Sequence, residues 1–198
     1  MAFFLETLFG GLMAGMLYAL VALGCITSAQ ADVTEQNLQR PYTVDAQSGE
    51  SLRQALNRAT PIAVTGQRFH GYTWWNVRWT FRWWREPSGR CTITEVQTHL
   101  RTEVQLPQLR SATPAQQPVF DRYLPALSQH EQGHVQIGRD AAQAIDEGIA
   151  RLPALEDCAT LERTANALGH RLLREHTERE KAYDLRTSHG ATQGARLE

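Results

Sequence analysis

The chain has 198 residues, which is enough for one domain with a hydrophobic core and too few for two full-sized domains. Its 20 basic and 21 acidic residues give a formal net charge of -1, so no global positive field is available to hold a polyanion. The composition therefore disfavours nucleic acid as a partner and is compatible with a peptide or protein substrate.

The first 31 residues differ from the rest of the chain. Residues 12–24 form a nearly continuous apolar run without a charge, and residues 29–31 (Ala-Gln-Ala) have the small-x-small pattern that signal peptidase cuts. We predict a signal peptide over 1–31 and a single mature domain over 32–198. An uncleaved membrane anchor is the alternative, because the segment before the run lacks Lys and Arg, carries Glu6, and is nearly long enough to span a bilayer together with the run. Both readings predict a periplasmic or secreted domain that meets the membrane only through this N-terminal segment.

Two cysteines remain after the predicted cleavage, Cys91 and Cys158. An even number of cysteines in an exported chain indicates a disulfide. The bridge would close a long loop and stabilise the fold by about 4 kcal/mol on the chain-entropy model. Two buried free thiols are the alternative, which an oxidising compartment disfavours.

Short elements are predicted ahead of the main secondary structure. Residues 42–44 (Tyr-Thr-Val) indicate a strand. Ser51 is a helix cap, and the short helix that follows it ends before Pro61. Its predicted apolar face consists of Leu52, Ala55 and Leu56.

A hairpin of two strands is predicted in the middle of the chain. Apolar and polar residues alternate over 75–83, which indicates a strand with one buried face. Residues 86–89 (Glu-Pro-Ser-Gly) have turn chemistry, and a second alternating run follows. The two runs predict an antiparallel hairpin with buried faces formed by Trp75, Val77, Trp79, Phe81 and Trp83, and by Val96, Leu100, Val104 and Leu106.

The remaining chain has helical periodicity. A first helix is predicted from near Pro118 to about Arg151, with a disturbance at Pro125. A second amphipathic helix continues to about Tyr183, with an apolar stripe that runs from Leu161 to Leu172 and on to Glu175. The chain is therefore predicted to be an α+β domain, in which a small antiparallel sheet with a Trp-rich hairpin precedes a pair of long helices.

The first long helix carries the sequence His130-Glu131-Gln132-Gly133-His134. Residues four apart share a helix face, so the two imidazoles can bind one Zn²⁺. Glu131 is then the candidate general base, because a zinc-bound water has a pKa of about 7 and an adjacent carboxylate can take its proton. Two solvated or core histidines on an ordinary helix are the alternative.

This histidine motif belongs to a series of motifs that covers almost the whole mature chain. The others are Gly71-Tyr72-Thr73-Trp74, Leu106-Pro107, Asp121-Arg122-Tyr123-Leu124, Ala165-Asn166-Ala167-Leu168-Gly169, and Tyr183-Asp184 through Thr187, His189-Gly190 and Gln193-Gly194. In this order they resemble a bacterial family called domain of unknown function 922, which is described as predicted secreted zinc-dependent proteases. The resemblance implies a zincin-like domain, zinc as cofactor, and a second cluster near the metal.

That second cluster consists of Tyr183, Asp184 and His189. Tyr183 is a candidate oxyanion donor and Asp184 a candidate support for the metal ligands. The ordinary structural alternatives are that Tyr183 is a core anchor, Asp184 a helix cap and His189 a solvated loop residue.

A catalytic zinc normally has three protein ligands, so a third ligand is expected besides His130 and His134. If the two long helices fold back on each other, residues that are equally far from the connection lie side by side. Glu175 then lies close to the level of His134 along the helix axis. His189 lies in a Gly-bearing loop that can bend over the site, and it matches the histidine of the family's terminal motif. We choose His189 as the third ligand and keep Glu175 as the alternative.

These observations predict a zinc-dependent hydrolase of the cell envelope, in the first place a metallopeptidase that acts on a peptide or protein through a water activated by Glu131. The competing hypothesis is a non-catalytic envelope binding module with a structural or vestigial zinc site.

Overall fold

The computed structural model describes residues 32–64 and 66–197, so the predicted signal peptide or anchor lies outside the described residues. Within them the chain forms an α+β fold, as predicted. The strands are β1 (Asp32–Gln39), β2 (Tyr42–Asp45), β3 (Ala63–Val64), β4 (Gln67–Arg68), β5 (Tyr72–Arg85), β6 (Cys91–Gln105) and β7 (Pro107–Ser111). The helices are α1 (Leu52–Ala59), α2 (Gln117–Ala150) and α3 (Cys158–Thr187), followed by a 3-10 turn (Ala191–Gln193).

The main sheet has three strands in the order β1-β6-β5. The predicted antiparallel hairpin is present, because β5 pairs with β6 along its whole length. The prediction of a purely antiparallel sheet is wrong, because β1 pairs with β6 in parallel. The sequence of β1, DVTEQNLQ, has almost no apolar alternation. Sequence analysis therefore had no alternating apolar pattern from which to predict β1 or its pairing.

The buried face of β5 ends earlier than predicted. Trp75, Val77, Trp79 and Phe81 pack in the core between the sheet and the long helices. The pairing register then shifts between Arg82 and Trp83, and Trp83 is 40% exposed. A bulge reverses the side that later residues face. The prediction that Trp83 shares the buried face is therefore wrong.

The helices begin and end close to the predicted residues. Ser51 caps α1 with a capping box that includes Gln54, and Asp157 caps α3 by accepting a hydrogen bond from the backbone of Thr160. The expected disturbance at Pro125 does not divide α2, which is one helix of 34 residues. Among the described residues, no helix combines the length and apolar character that crossing a membrane requires.

Two hydrophobic cores hold these elements. The first packs α1 against the N-terminal part of α2, and the second packs the sheet against the C-terminal part of α2 and the start of α3. The predicted disulfide between Cys91 and Cys158 is confirmed, and it joins the first residue of β6 to the first residue of α3.

Candidate metal centre

Three side chains that can bind a metal meet where α3 packs against the middle of α2: His130, His134 and Asp184. The histidines lie one turn apart on α2 and are both buried. Asp184 comes from the last turn of α3 and is partly buried. Their ligand atoms all lie within 4.8 Å of one another, so the group can hold a metal ion.

The spacing of the ligand atoms fits a tetrahedral metal. The Nε2 atoms of His130 and His134 are 3.3 Å apart, and Asp184 Oδ1 lies 3.2 Å from the first and 3.1 Å from the second. Zinc binds such atoms at about 2.0–2.2 Å, and adjacent ligands of a tetrahedron with that bond length are about 3.3 Å apart. Three protein ligands also leave a fourth position for water or substrate, as in catalytic sites. The residues present therefore fit a zinc ion.

The ring of His130 is held from behind by two polar residues. Its Nδ1 donates to Gln193 Oε1 at 3.0 Å, and Gln193 Nε2 donates to the Tyr183 hydroxyl at 3.1 Å. That hydroxyl donates to the His130 carbonyl at 3.2 Å, and the two rings stack with centroids 5.1 Å apart. A proton fixed on Nδ1 leaves the Nε2 lone pair for a metal.

A carboxylate also lies next to the second ring nitrogen of His134, Nδ1. Glu180 Oε1, one turn before Asp184 on α3, lies 3.3 Å from His134 Nδ1. Burial lowers the pKa of His134, but the neighbouring carboxylates of Asp184 and Glu180 outweigh it and raise the pKa to about 9. Without a metal, this imidazole therefore carries a proton at neutral pH, and a metal must displace that proton when it binds.

Asp184 stays ionised in this position. Burial raises the pKa of its carboxyl, but the neighbouring imidazoles of His130 and His134, the latter protonated, outweigh burial and hold the pKa well below its usual range. The carboxylate is therefore in the deprotonated form that a metal requires.

Glu131 lies beside this group without belonging to it. The Thr73 hydroxyl on β5 donates to Glu131 Oε2 at 2.7 Å, and burial raises the pKa of the carboxyl against the effect of this hydrogen bond. The other oxygen, Oε1, lies against Gly71, where a Cβ atom would collide with it. Gly71 therefore leaves the space that Oε1 occupies.

A cavity of about 490 Å³ opens onto all these groups. One side consists of Val64, Phe69 and the start of β5, and the other consists of residues on one face of α3. The residues from the metal group and its neighbourhood that line it are His130, Glu131, His134, Glu180, Asp184 and His189. Metal ligands, a buried carboxylate and substrate-sized space thus share one cavity.

The structure separates the two residues that were considered as third ligand. His189 lines the cavity, with Nδ1 3.4 Å from Asp184 Oδ1 and its ring 5.1 Å from that of Phe69. Glu175 lies elsewhere, with a side chain that is 52% exposed and paired with Arg171 at 3.1 Å. The carboxylate that the structure brings to the two histidines is Asp184, and Glu175 is not in this group. Binding of the metal by His189 stays a prediction.

Tyr183 is placed differently from a residue that contacts substrate. Its hydroxyl is engaged with the His130 carbonyl and Gln193, and it lines a second surface groove rather than the cavity of the metal group. Its ring contacts both histidines, with centroids 5.1 and 5.0 Å away. In this geometry Tyr183 positions the ligands, and its role as an oxyanion donor stays a prediction.

Sequence analysis missed Thr73 and Glu180 as parts of the site. Glu180 precedes Asp184 by four residues, so the two carboxylates share a helix face, and that spacing was a usable signal. Thr73 was visible only as part of a motif, because its contact with Glu131 joins residues 58 positions apart.

Comparison with known proteins identifies the family of the chain. The family model described as "Bacterial protein of unknown function (DUF922)" matches residues 39–190, which include the metal group, Glu131 and His189. No curated protein and no solved structure matches the chain. Because the match covers well over half of the sequence, the chain belongs to this family of bacterial proteins.

Proposed function

We propose that this protein is a zinc-dependent hydrolase with a zincin-like site, and specifically a metallopeptidase. The observation that carries the proposal is that Glu131, a buried carboxylate outside the metal group, lines the same cavity as His130, His134 and Asp184. A purely structural zinc site needs no such additional base and normally has four protein ligands.

In this proposal His130, His134 and Asp184 hold the zinc. Bound zinc supplies a water of lowered pKa and polarises the carbonyl under attack. The same two histidines and one carboxylate also suit ferrous iron, so metal identity is part of the test.

Glu131 moves the proton. With Oε2 held by Thr73, Oε1 is the oxygen that accepts a proton from the attacking water and passes it to the departing nitrogen. Burial raises the pKa of Glu131, which makes its carboxylate a stronger base than an exposed glutamate.

A peptide fits the position of β5. This strand is at the edge of the sheet, and four consecutive residues, 72–75, line the cavity although alternate side chains face opposite sides. The edge of the strand therefore borders the cavity. An extended peptide can pair with such an edge through its backbone, whereas a small ester or amide cannot use it.

We further propose that the protein acts in the cell envelope, in the periplasm or outside the cell. The Cys91–Cys158 disulfide and the predicted signal peptide support this location, because structural disulfides persist in oxidising compartments.

The decisive experiment combines metal analysis with one isosteric substitution. Protein purified without added metal should contain about one zinc per chain by mass spectrometry of the metals. It should cleave a quenched peptide library or unfolded casein. Glu131→Gln should keep the zinc and lower turnover by about a hundredfold to ten-thousandfold, the range of general acid–base catalysis.

Glu147→Gln is the matched control, because Glu147 lies on the same helix and pairs with Arg151 far from the cavity. It should retain full turnover. Iron instead of zinc, or undiminished hydrolysis by Glu131→Gln, would overturn the proposal. Tight zinc in a protein that cleaves no peptide and binds no hydroxamate would favour the non-catalytic module.

A further inference from the structure

Large apolar side chains are exposed on one side of the cavity. Val64 is 46% exposed and Tyr72 is 42% exposed, yet both line the cavity that contains the metal group. Phe69 lies between them in the chain, is partly buried and also lines it. We call these three residues the apolar wall. Trp74 borders the cavity as well, but its ring lies 6.0 Å from the Arg101 guanidinium and lines a groove on the other face of the sheet, so it is not part of the wall. Exposed apolar side chains that cluster beside polar groups mark a binding surface.

The opposite side of the cavity has a different chemistry. Residues of α3 supply Thr177, Glu180, Lys181 and Asp184 there. The cation among them, Lys181, is paired with Glu178 at 2.7 Å. A ligand therefore meets polar and acidic groups on one side and apolar groups on the other.

Gly71 connects the apolar wall to the reacting groups. It lies between Phe69 and Tyr72 in the chain, and a Cβ atom there would touch both the Glu131 carboxylate and the Leu127 side chain. Leu127 is one helical turn before Glu131 and lines the same cavity. Apolar surface thus reaches the immediate neighbourhood of the general base.

We propose that the apolar wall is a subsite for a bulky apolar side chain, aromatic or large aliphatic, next to the bond that is cleaved. Cleavage of that bond rests on the proposed function, whereas the subsite itself does not. A charged side chain would lose its hydration against this wall without gaining a partner. A methyl group would leave most of the wall in water, so a benzyl group should bind on the order of tenfold to a hundredfold more tightly.

The first arm of the test needs no metal. Metal-free protein is titrated with N-acetyl-phenylalaninamide and, separately, with N-acetyl-alaninamide, and the indole N–H resonances of Trp74 and Trp75 are followed by NMR. The phenylalanine compound should shift these resonances with saturation, and the alanine compound should not. Equal shifts with both compounds, or no shift with either, would overturn the subsite.

The second arm connects the subsite to the metal. Zinc-loaded protein is titrated calorimetrically with two peptide hydroxamates of one backbone, which differ only in a benzyl or a methyl group beside the hydroxamate. The benzyl compound should bind at least about tenfold more tightly. In the double variant Val64→Ser, Tyr72→Ser the difference should shrink to about threefold or less.

Leu185→Ser is the matched control, because Leu185 follows Asp184 directly, is 79% exposed and does not line the cavity. It should keep the full preference for the benzyl compound. A preference that survives in the double variant would overturn the assignment to the apolar wall. If the double variant is unfolded, Val64→Ser alone takes its place, since Val64 lies in a two-residue strand.

The two arms separate the failure of the subsite from the failure of the proposed function. Binding of N-acetyl-phenylalaninamide without binding of either hydroxamate would refute the metallohydrolase and support the subsite. Equal affinity for the two hydroxamates, without a response to N-acetyl-phenylalaninamide, would refute the subsite and leave the hydrolase standing.

Discussion

The pair of long helices has two ends of opposite character. At one end, His130, Glu131 and His134 of α2 are buried against the last turns of α3. At the other end, α2 and the start of α3 bury mainly small and aliphatic side chains against the sheet, with the disulfide beside them; these include Ala141, Ala142, Ile145, Ile149, Leu161 and Ala165. The buried carboxylate there, Asp146, accepts a hydrogen bond from the Thr98 hydroxyl at 2.8 Å. We call these the polar end and the apolar end.

The difference shows how the fold divides its tasks. Burial of titratable side chains costs free energy of folding unless each has a partner, whereas burial of aliphatic side chains stabilises the fold. The apolar end and the disulfide therefore stabilise helices that hold an unfavourable cluster of charges at the polar end. Substitutions at the two ends should therefore have separable effects.

Removal of the disulfide should have the largest effect on stability. Cys91→Ser with Cys158→Ser opens a loop with a sequence separation of 67 and should lower the free energy of unfolding by about 4 kcal/mol. Denaturant titration measures this loss. Zinc affinity, measured below the unfolding transition, should change by less than about threefold, because the bridge lies at the apolar end. A parallel loss of zinc affinity would show that the two ends are coupled.

The next effect concerns the third ligand. Asp184→Ala should weaken zinc binding by on the order of a hundredfold or more, since a full zinc site gains about 3 kcal/mol per ligand. His189→Ala should weaken it by tenfold or less if His189 acts only through Asp184. Competition with a chromophoric chelator measures both.

Glu175→Ala is the control for these variants and should keep wild-type affinity, because its side chain is exposed and paired with Arg171. If His189→Ala loses zinc while Asp184→Ala retains it, the ligand set is the one chosen from the sequence.

A matched pair of glycine substitutions on α2 sharpens the comparison. A Cβ atom at Gly133, at the polar end, would overlap the Tyr183 hydroxyl and ring, so Gly133→Ala should cost about 2 kcal/mol and weaken zinc binding. At Gly148, at the apolar end, the Cβ would meet flexible ends of Leu172 and Leu168 at 3.3 and 3.4 Å.

Gly148→Ala should therefore raise the free energy of unfolding by roughly 0.5 kcal/mol through helix propensity. Thermal unfolding and zinc titration of the two variants give the answer. Equal destabilisation by both would contradict the proposed difference between the ends.

The last effect lies outside both ends and depends on pH. His70 is held between the Tyr123 hydroxyl and Asn57 at 2.8 Å each, and burial, assisted by Arg53, lowers its pKa to about 4. The unfolded chain binds this proton at about pH 6.5, so stability is complete above that pH and falls as the pH decreases towards 4. The loss should be about 1 kcal/mol, because the ring remains partly exposed.

His70→Gln should flatten that part of the pH dependence, as measured by denaturant titration between pH 7 and pH 4. If the free energy of unfolding of the variant depends on pH as steeply as that of the wild type, other groups cause the acid sensitivity.

Local chemistry made much of this structure predictable. The cap at Ser51, the hairpin around residues 86–89, the long helices and the disulfide all depend on residues close in sequence or on the two cysteines outside the predicted N-terminal leader. The pair of histidines on α2 was predictable for the same reason, because their proximity follows from helix geometry alone.

The third member of the metal group was not predictable by counting along the helices. His134 lies 16 residues before the end of α2, but Asp184 lies 26 residues after the start of α3. The count of residues from the connection assumed that a tight turn joins α2 to α3. Residues 151–157 instead run extended enough for Leu155 to pair with Cys91, so the start of α3 is displaced by several residues. Such an offset depends on a tertiary contact and leaves no periodic signal.

The contact between Gln193 and His130 also has a consequence for biogenesis. The site needs residues near 130, residues 180–184 and finally Gln193, which are synthesised in that order. A chain that is still emerging thus has its two histidines without the carboxylate and the amide that complete their environment. Assembly of the metal group together with its supporting hydrogen bonds is thereby postponed until the chain has been synthesised as far as Gln193.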